Sequence, residues 1–341
     1  MKNHVSITDM AKELGVSKTL VSLVLNNKAD KQGISKKTQN KVLKCAKKMN
    51  YKPNLMARGL RIGKTDTIGL VVSDIANPFY SKMARYIEDF LGKQNFHLAI
   101  CSTDENTEKE SNIIRLMREK QFDGLIISSS QKKPDDFKQL LREDYPFVLI
   151  DRNFKSIKAN FVGIENYDAT YHAIKHLVGQ GYNNVTAFAV SPCYVSSIKE
   201  RINGFRDAMK DSGIDFVPEM LVEIPFNEVK YTVKEELLKL TRPNNKIKAL
   251  FAINNNIAVA CLEAFQELNI NIPDDIAFVA FDDIDAYKLT TPPITAIDQP
   301  LEGMCYHAVQ ILLNEINKPA KSKKSVIFSP SLILRGSVKK Q

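Results

Sequence analysis

Apolar positions in the first 50 residues recur with the spacing of short amphipathic helices. Within SITDMAKELGVS, the apolar residues of the range 7–14 fall at i, i+3, i+4 and i+7, which is the period of a helix. Ser6 can cap the first turn, and Gly15 suits the left-handed residue that ends the last one. A second helix is predicted from Ser17 to near Asn26, and a lysine-rich third helix follows. Helix, short turn with glycine, helix is the pattern of a helix-turn-helix.

From Thr67 onward the pattern changes to apolar strands that alternate with amphipathic helices. Continuous apolar strands such as TIGLVVS, FDGLIISS and FVLIDR are typical of a parallel sheet whose two faces are covered by helices. A second series of strands and helices begins near Ile164. Two series predict two α/β lobes, and their strand ends are expected to face a shared cleft, the usual position of a ligand.

Basic residues are concentrated in the helical segment. Residues 1–62 hold 14 Lys and Arg against 3 Asp and Glu, a net charge of +11, whereas the remaining chain holds 34 against 36. Such a charge beside a helix-turn-helix is typical of a surface that lies against nucleic-acid phosphates. The second helix is then the expected recognition helix, and its outward residues Lys18, Thr19, Ser22 and Leu23 are candidates for base contacts in the major groove.

The rest of the composition narrows the class of protein. A chain of 341 residues with 44% hydrophobic and 26% charged residues is expected to form more than one globular domain. The five cysteines are scattered without CxxC spacing, which is typical of reduced thiols. No apolar run approaches the roughly 18 residues of a membrane span, and MKNHVSITDM lacks the apolar core of a signal peptide, so a cytoplasmic protein is expected.

Polar and aromatic side chains are predicted at the strand ends that face the cleft. Two carboxylates, an arginine, an amide and an aromatic pair suit a polyhydroxylated ligand, so a sugar or sugar derivative is favoured, while the aromatic pair leaves a nucleobase possible. The candidate effector-binding residues are Phe79, Tyr80, Asp151, Ser197, Arg201, Asn254 and Asp282. Taken singly, Arg201 is more often a surface ion pair, Asp282 a turn residue and Asn256 a helix cap, and either aromatic ring can simply pack at a helix start.

Two patterns that suggest enzymatic or metal chemistry are rejected. GLRIGKTD ends like a phosphate-binding loop, but the position where that motif requires its first glycine is Arg58. His172 and His176 share a helical face without a third ligand nearby, which favours a solvated surface over a metal site. Since no nucleophile, base and orienting group form a set, no enzymatic activity, catalytic residue, cofactor or metal is predicted.

Several segments, in order along the chain, resemble the LacI/GalR family of bacterial transcription regulators. They are ITDMAKELGVSKTLVSLVLN, SKKTQNKVLKCAKKMNYKPNLMARGLR, TIGLVVSDIANPFY, RINGF, ALFAINNN, IPDDIAFVAFDD and TPPITAIDQP. The resemblance implies an α/β protein with an N-terminal all-α helix-turn-helix head and a periplasmic-binding-protein-like core of two doubly wound parallel-sheet lobes. It also implies a repressor that binds a pseudo-palindromic operator as a homodimer and is gated by a small-molecule effector in the cleft.

The family pattern also implies a division of the chain. Residues 1–52 are expected to form the helix-turn-helix DNA-binding domain, 53–63 a hinge helix and linker, and 64–341 the effector-binding and dimerisation core. Within the core, the first lobe is expected to comprise about 64–163 and 296–324, and the second about 164–295 and 325–341.

In the family that the chain resembles, the hinge helix inserts an apolar residue into the minor groove and thereby kinks the operator. Leu60 fits that role, and Arg58 and Arg61 can lie near phosphates or in the groove. In the recognition helix the resemblance implies base contacts for Lys18, Thr19 and Leu23 and phosphate contacts for Ser17 and Ser22. The full set of residues expected to bind DNA is Ser17, Lys18, Thr19, Ser22, Leu23, Asn26, Arg58, Leu60 and Arg61.

Some features leave alternatives open. The sequence does not give the direction in which the effector acts on operator binding, and a partner protein or a nucleobase-type ligand could control the same regulator. A sugar-binding receptor on the same fold is the alternative outside transcription, and the basic head argues against it. The segment NNKADKQGISKKT is longer than the family pattern, and its Lys28 and Lys31 are expected to add contacts with the DNA backbone.

Overall fold

The computed structural model describes residues 5–51, 64–242, 247–320 and 322–341. The chain divides into two compact units, Met1–Thr65 and Asp66–Gln341. We call the first unit the head and the second unit the body.

The head packs short helices around a small apolar core. Its helices are α1 Ile7–Leu14, α2 Lys18–Leu25 and α3 Lys36–Lys48, and a short 3-10 helix, Asp30–Gln32, lies between α2 and α3. The buried residues that these helices share are Met10, Ala11, Val21, Val24, Ala29, Val42 and Cys45. The predicted helix-turn-helix is therefore confirmed.

Side-chain caps fix the ends of the first two helices. The Ser6 hydroxyl accepts the backbone N–H of Asp9 at 3.2 Å, and the Asp9 carboxylate accepts the backbone N–H of Ser6 at 2.9 Å, which together form a capping box. Gly15 ends α1 in the left-handed conformation, with φ 63. The Ser17 hydroxyl then accepts the N–H of Leu20 at 3.1 Å and caps α2, which begins at Lys18. The tight turn between the helices follows from these local signals.

In its described residues the body contains two six-stranded sheets. The strands are β1 Thr67–Val72, β2 His97–Ser102, β3 Gly124–Ile127, β4 Phe147–Ile150, β5 Phe161–Ile164, β6 Val185–Val190, β7 Leu221–Ile224, β8 Ala249–Ala252, β9 Ala277–Phe281, β10 Thr295–Asp298, β11 Ser325–Phe328 and β12 Ser331–Ile333. The first sheet has the order β11-β5-β4-β3-β1-β2 and is parallel throughout. The second has the order β12-β10-β9-β8-β6-β7 and is parallel except for β12. The predicted α/β class with two parallel-sheet lobes is confirmed.

Helices cover the sheets and complete two lobes. They are α4 Pro78–Gly92, α5 Thr107–Glu119, α6 Asp135–Arg142, α7 Asn166–Gly179, α8 Ser196–Lys210, α9 Val229–Leu240, α10 Asn255–Glu267 and α11 Leu301–Asn317. In the first lobe α11 packs on α4 and on the strands β3 to β5. In the second lobe α7 and α8 pack side by side, and Gly204 permits this approach because a Cβ there would lie 2.4 Å from the carbonyl oxygen of Tyr167.

The antiparallel strand β12 differs from the expected parallel pattern, and the route of the chain explains it. β11 runs parallel to β5 in the first sheet, and only two residues separate β11 from β12 in the second sheet. So short a connection cannot carry the chain back to the opposite end of the second sheet, as a parallel crossover would require. β12 therefore enters beside the carboxyl end of β10 and runs in the opposite direction.

The strand assignments also move two of the expected lobe crossings. The first crossing follows β5, close to the predicted position near residue 163. The second follows β10 and the third follows β11, because β10 pairs in the second sheet and β11 in the first. In the structure these two crossings therefore lie after residues 298 and 328. The predicted lobe boundaries placed them before residues 296 and 325. No helix within the described ranges is long and apolar enough to span a bilayer.

Candidate functional site

The outward face of α2 carries residues that the sequence predicted for base contacts. Lys18 and Thr19 are exposed in its first turn, and Ser22 and Leu23 are half-buried one turn later. An ammonium group, hydroxyls and an apolar side chain together can contact the donors, acceptors and methyl groups that line a major groove. Contact of these four residues with DNA stays a prediction.

Two other predicted DNA contacts flank α2 and already form hydrogen bonds within the head. The Ser17 hydroxyl caps α2 as an acceptor, which leaves its own proton for a phosphate oxygen. The Asn26 side-chain amide donates to the backbone oxygen of Ser22 at 2.7 Å, so its carbonyl oxygen is the group that remains for a partner. Arg58, Leu60 and Arg61, the predicted hinge contacts, lie outside the described residues.

The long segment between α2 and α3 is ordered around one carboxylate. Asp30 accepts hydrogen bonds from Lys36 and Gln39, each at 2.8 Å, and Ala29 is buried in the head core. Lys28 and Lys31, on either side, are exposed. The segment is thus attached to the head through Ala29 and Asp30 and carries two lysines at its surface, and the contact of these lysines with DNA is likewise still a prediction.

In the body, all seven residues predicted for effector binding line one cavity between the lobes: Phe79, Tyr80, Asp151, Ser197, Arg201, Asn254 and Asp282. The cavity encloses about 420 Å³ of empty space, counting the part open to solvent. Only about 30 Å³ of this volume is wide enough to admit a water molecule. The walls are therefore close together, and a ligand larger than water needs the side chains or the lobes to move apart.

Two aspartates face the cavity from the carboxyl ends of strands in different lobes. Asp151 directly follows β4 with φ 65, and Asp282 directly follows β9 with φ 66. Both backbones are left-handed, a conformation that costs energy in residues other than glycine and is tolerated best by asparagine and aspartate. Residues held in this way cluster at functional sites, where the side chain must point in one direction.

Arg201 is held rigidly between protein acceptors. Its Nε donates to Oδ1 of Asn166 and its Nη1 to the backbone oxygen of Ile253, both at 2.8 Å. The centre of the guanidinium lies 3.5 Å from the centroid of the Phe281 ring, a cation–π contact. With 3% of its surface exposed, Arg201 is a buried residue of the cavity, and the ordinary explanation as a surface ion pair is wrong.

The guanidinium of Arg201 lies at equal distance from the two carboxylates. Its nitrogens are 4.0 Å from Oδ1 of Asp151 and 4.0 Å from Oδ2 of Asp282, too far for hydrogen bonds but close enough for strong attraction. Oδ1 of Asp151 is buried and has no hydrogen-bond partner in the described structure. An unpaired buried acceptor next to a cation is a place where a ligand hydroxyl can bind.

The second carboxylate is in a less polar environment. Burial raises the pKa of Asp282, although Arg201 and a hydrogen bond from Gln299 act in the opposite direction. Its Oδ2 accepts the backbone N–H of Asn255 at 3.4 Å. The carboxyl of Asp282 therefore binds its proton more readily than an exposed aspartate does, and a ligand donor would help it to stay ionised.

The aromatic pair forms one wall and contributes a hydroxyl. The rings of Phe79 and Tyr80 have centroids 5.1 Å apart and planes at 70°, an edge-to-face pair. The Tyr80 hydroxyl lies 3.2 Å from Oγ of Ser128 and donates to Oδ2 of Asp151 at 3.3 Å. Burial raises the pKa of Tyr80, so the phenol remains a donor. Tyr80 thus helps to orient Asp151, and Phe79 supplies apolar surface.

Two predicted residues lie at helix starts. Asn254 caps α10, since its Oδ1 accepts the N–H of Ile257 at 3.0 Å, while its amide remains available to the cavity. Asn256, for which a helix cap was the ordinary explanation, instead lines the cavity. Ser197 is buried in the first turn of α8.

Two charged residues of the cavity wall were missed by sequence reasoning. Arg152 follows Asp151 directly, and Glu105 lies in the loop between β2 and α5; both line the cavity. Their side chains form two hydrogen bonds, of 2.6 and 3.0 Å. Burial alone would raise the pKa of Glu105, but Arg152 holds it below its ordinary value, so the pair is ionised. The dipeptide after β4 was the available signal for Arg152, whereas the polar loop around Glu105 gave none.

Hydrogen bonds across the cleft connect the two lobes. The side-chain amide of Asn255 donates to Oδ1 of Asn77 at 2.7 Å, and the Tyr194 hydroxyl donates to the backbone oxygen of Ser130 at 3.0 Å. The carboxyl edges of the two sheets are therefore held together around the cavity. No cluster of three or more metal-ligating side chains occurs in the part of the chain that the structure describes.

Comparison with known proteins identifies relatives of both parts of the chain. Residues 6–54 match the family model of bacterial regulatory proteins of the lacI family, and residues 174–338 match the model of the periplasmic binding protein-like domain. The HTH-type transcriptional regulator DegA of Bacillus subtilis is 31% identical over 335 residues, which cover 97% of this chain and 97% of DegA.

Solved structures show the same architecture. The lac repressor dimer bound to operator and the anti-inducer ONPF superposes with a TM-score of 0.84 at 21% identity, over 99% of this chain and 100% of that one. A LacI family transcriptional regulator of Enterococcus faecium with bound ribose has a TM-score of 0.70 at 27% identity, over 81% of this chain and 99% of that one.

Proposed function

Because the chain belongs to the LacI family of bacterial regulatory proteins and is a DNA-binding transcriptional regulator rather than an enzyme, we propose that it is a repressor gated by a sugar-like effector. In this proposal a homodimer binds a pseudo-palindromic operator through two heads. The effector occupies the cavity between the lobes and changes the affinity of the heads for DNA.

The arrangement of Asp151, Arg201 and Asp282 carries the effector assignment. A hydroxyl group can donate to a carboxylate and accept from a guanidinium at the same time. One guanidinium that lies 4.0 Å from a carboxylate on each side offers this combination twice, to two hydroxyls of one ligand. A polyhydroxylated molecule such as a sugar meets that requirement, and the ribose bound to the Enterococcus faecium relative agrees with this class of ligand.

The geometry of the aromatic pair argues against a base enclosed between two ring faces. A base held by stacking needs one ring face parallel to it or two faces on either side. Phe79 and Tyr80 meet edge to face, and the Tyr80 hydroxyl is hydrogen-bonded to Asp151. Phe79 alone can therefore offer a ring face, either to the apolar side of a sugar or to a base, and the two hydroxyl-binding positions beside Arg201, rather than the rings, favour a sugar.

The operator and the dimer follow from the size of the head. One recognition helix reads few base pairs, so specific binding requires two heads on a site with two-fold symmetry. The lac repressor neighbour was solved as a dimer on its operator, which supports the same assembly for this chain. Leu60, Arg58 and Arg61 are proposed to act at the centre of that site, as an apolar wedge between two basic residues.

Selection of DNA from a random pool with the full chain tests the DNA half of the proposal. We expect an inverted repeat, bound by two chains in sedimentation velocity on a fluorescent duplex. Selection of no sequence motif, or one chain bound per duplex, would contradict it.

A thermal-shift panel of neutral aldoses, ketoses and free nucleobases tests the effector half. A ligand at about 100 times its Kd adds roughly 2.7 kcal/mol to stability, which is easily detected. We expect a sugar to raise the melting temperature of the body and to change the affinity for the selected operator. A nucleobase that does both, while no sugar does, would contradict the sugar assignment.

A further inference from the structure

Glu105 is held in the cavity wall by an unusual stretch of backbone. It and its neighbour Asp104 both have positive φ, 54 and 53, in the loop that follows β2. Glutamate is not a residue that favours this conformation. The turn directs the Glu105 side chain inward, where 6% of it is exposed, while the Asp104 side chain stays at the surface.

The inward carboxylate occupies the paired Nη1 and Nη2 donors at the end of Arg152. Nη1 and Nη2 donate to the two oxygens of Glu105, and Nη1 also lies 3.2 Å from the backbone oxygen of Ser129. Nε has no hydrogen-bond partner in the described structure, and Oδ2 of Asp151 lies 3.5 Å from it. The remaining parallel pair of N–H groups, on Nε and Nη2, lies beside the Asp151 carboxylate, so a phosphate bound there would meet a like charge.

The second guanidinium is equally unsuited to a phosphate. Arg201 uses Nε and Nη1 for protein acceptors, one face lies against Phe281, and its free side faces Asp151 and Asp282. A phosphate placed there would come close to two carboxylates. Like charges that meet in a desolvated site are strongly unfavourable.

The net charge of the cavity lining also disfavours a phosphate. The described lining of the cavity holds three carboxylates, Glu105, Asp151 and Asp282, and two guanidiniums, Arg152 and Arg201, so its formal charge is −1. A proton on Asp282 would bring the charge to zero. In neither state is the cavity positive, although it contains two arginines.

We infer that Glu105 is a specificity-determining residue: its pairing with Arg152 restricts the effector to uncharged polyhydroxylated molecules and excludes their phosphate esters. This inference rests on the proposed function, because it concerns the ligand of the same cavity. Glu105 acts through Arg152 and through the charge of the cavity, and no contact of Glu105 with the ligand is required.

Charge variants of the full chain test the inference. Glu105→Gln changes the formal charge of the cavity from −1 to zero and frees part of the Arg152 fork. The double variant Glu105→Gln/Arg152→Gln removes one charge of each sign and returns the cavity to −1. Glu108→Gln is the matched control, since Glu108 is exposed, lies three residues from Glu105 and does not line the cavity. All four proteins carry the same basic head, so any binding of anions to the head cancels in the comparison.

The probes are D-ribose, D-ribose 5-phosphate and inorganic phosphate, titrated calorimetrically at constant ionic strength. We expect the wild-type chain and Glu108→Gln to bind the phosphate ester at least about 100-fold more weakly than the neutral sugar, since like-charge contacts cost several kcal/mol. Glu105→Gln should narrow this ratio at least about tenfold and gain binding of inorganic phosphate, and the double variant should reject both anions again.

The titrations distinguish a failure of the role of Glu105 from a failure of the sugar assignment. Binding of the phosphate ester by the wild-type chain as tightly as the sugar overturns the inference and leaves a sugar effector in place. Phosphate binding by Glu105→Gln that matches that of Glu108→Gln also overturns it. If no protein binds ribose, the sugar assignment loses support, and the gain of inorganic phosphate binding by Glu105→Gln still decides the role of Glu105. Circular dichroism shows whether each variant is folded, and Glu105→Asp, which keeps the charge, should still reject phosphate.

Discussion

The head and the body use charge in opposite ways. In the head, the lysines of α3 are exposed: Lys36, Lys37, Lys41, Lys44, Lys47 and Lys48. Exposed charges interact through water and are screened by salt beyond about 10 Å, so they act as a sum. In the body, Asp151, Arg201 and Asp282 have side chains at most 7% exposed, and each is placed by specific neighbours. In the proposed function, charge in the head therefore supplies affinity for a polyanion, and charge in the body supplies selection among small molecules.

The largest effect is expected where a buried charge loses its partner. Arg201→Ala leaves Asp151 and Asp282 without their shared cation, and removal of one member of a buried charge group costs about 3 to 5 kcal/mol. We expect that loss in the urea unfolding of the body, together with loss of any response to effector. Arg206→Ala on the same helix, at an exposed position, is the control and should change unfolding by less than about 1 kcal/mol. Equal destabilisation by both variants would mean that Arg201 is only a packing residue.

The next largest effect is expected in the pH dependence of the stability of the body. Glu110 is fully buried and accepts hydrogen bonds of 2.6 Å from Oγ of Ser129 and from the N–H of Ser130. Burial raises its pKa from 4.5 to about 7. The pKa of Glu110 is higher in the folded chain than in the unfolded chain. Its contribution to the free energy of unfolding is therefore fully present below pH 4.5 and is lost as the pH rises through 7. The full contribution is about 3 kcal/mol at most.

Urea unfolding of the body between pH 5 and 8 measures this loss. Glu110→Gln has no proton to lose, so we expect a flatter profile and a variant that is relatively more stable at pH 8 than at pH 5. If the wild type and the variant have parallel profiles, the carboxyl of Glu110 does not titrate in this range.

In the head, removal of a single charge should have a smaller effect, and the effect on DNA affinity should differ between α2 and α3. Lys18→Ala, on the outward face of α2, is expected to weaken the selected operator by about 1 to 3 kcal/mol and non-specific DNA by less. Lys44→Ala, on α3, is expected to weaken both DNAs alike and to reduce the salt dependence by about one counterion. Fluorescence anisotropy at several salt concentrations separates the two. The same loss on both DNAs for Lys18→Ala would remove it from base recognition.

The smallest effect is expected at a helix cap of the head. Ser6→Ala removes one half of the capping box with Asp9, which typically costs about 1 kcal/mol. The hydrogen exchange of α1 and α2 should become faster, while the body keeps its protection. A change of similar size in the body would show that the two units do not unfold independently.

The sequence predicted much of this architecture because its signals are local. Ser6, Gly15 and Ser17 determine the helix ends of the head by hydrogen bonds to near neighbours, and the apolar strands of the body show their burial directly. The antiparallel direction of β12 has no such local signal, because it depends on the end at which the chain enters the second sheet.

The same contrast holds in the cavity. Asp151 and Asp282 were predicted to face the cleft because each directly follows an apolar strand, and the carboxyl ends of parallel strands share one edge. Glu105 and Arg152 were missed since their pairing depends on the fold of a polar loop with two left-handed residues. Asn254 and Asn256 have similar local sequences, and only the start of α10 decides which of them is the cap.

In the proposed function, a neutral polyhydroxylated ligand held by the buried charges of the body controls the affinity of the head for its operator. The direct test is the operator affinity of the wild-type chain and of Asp282→Asn, with and without the sugar that stabilises the wild type. We predict that the sugar changes the wild-type Kd for the operator about 5- to 150-fold, the usual range of allosteric coupling, and leaves the variant unchanged. The same change in Asp282→Asn, or no change in the wild type, would contradict the claim.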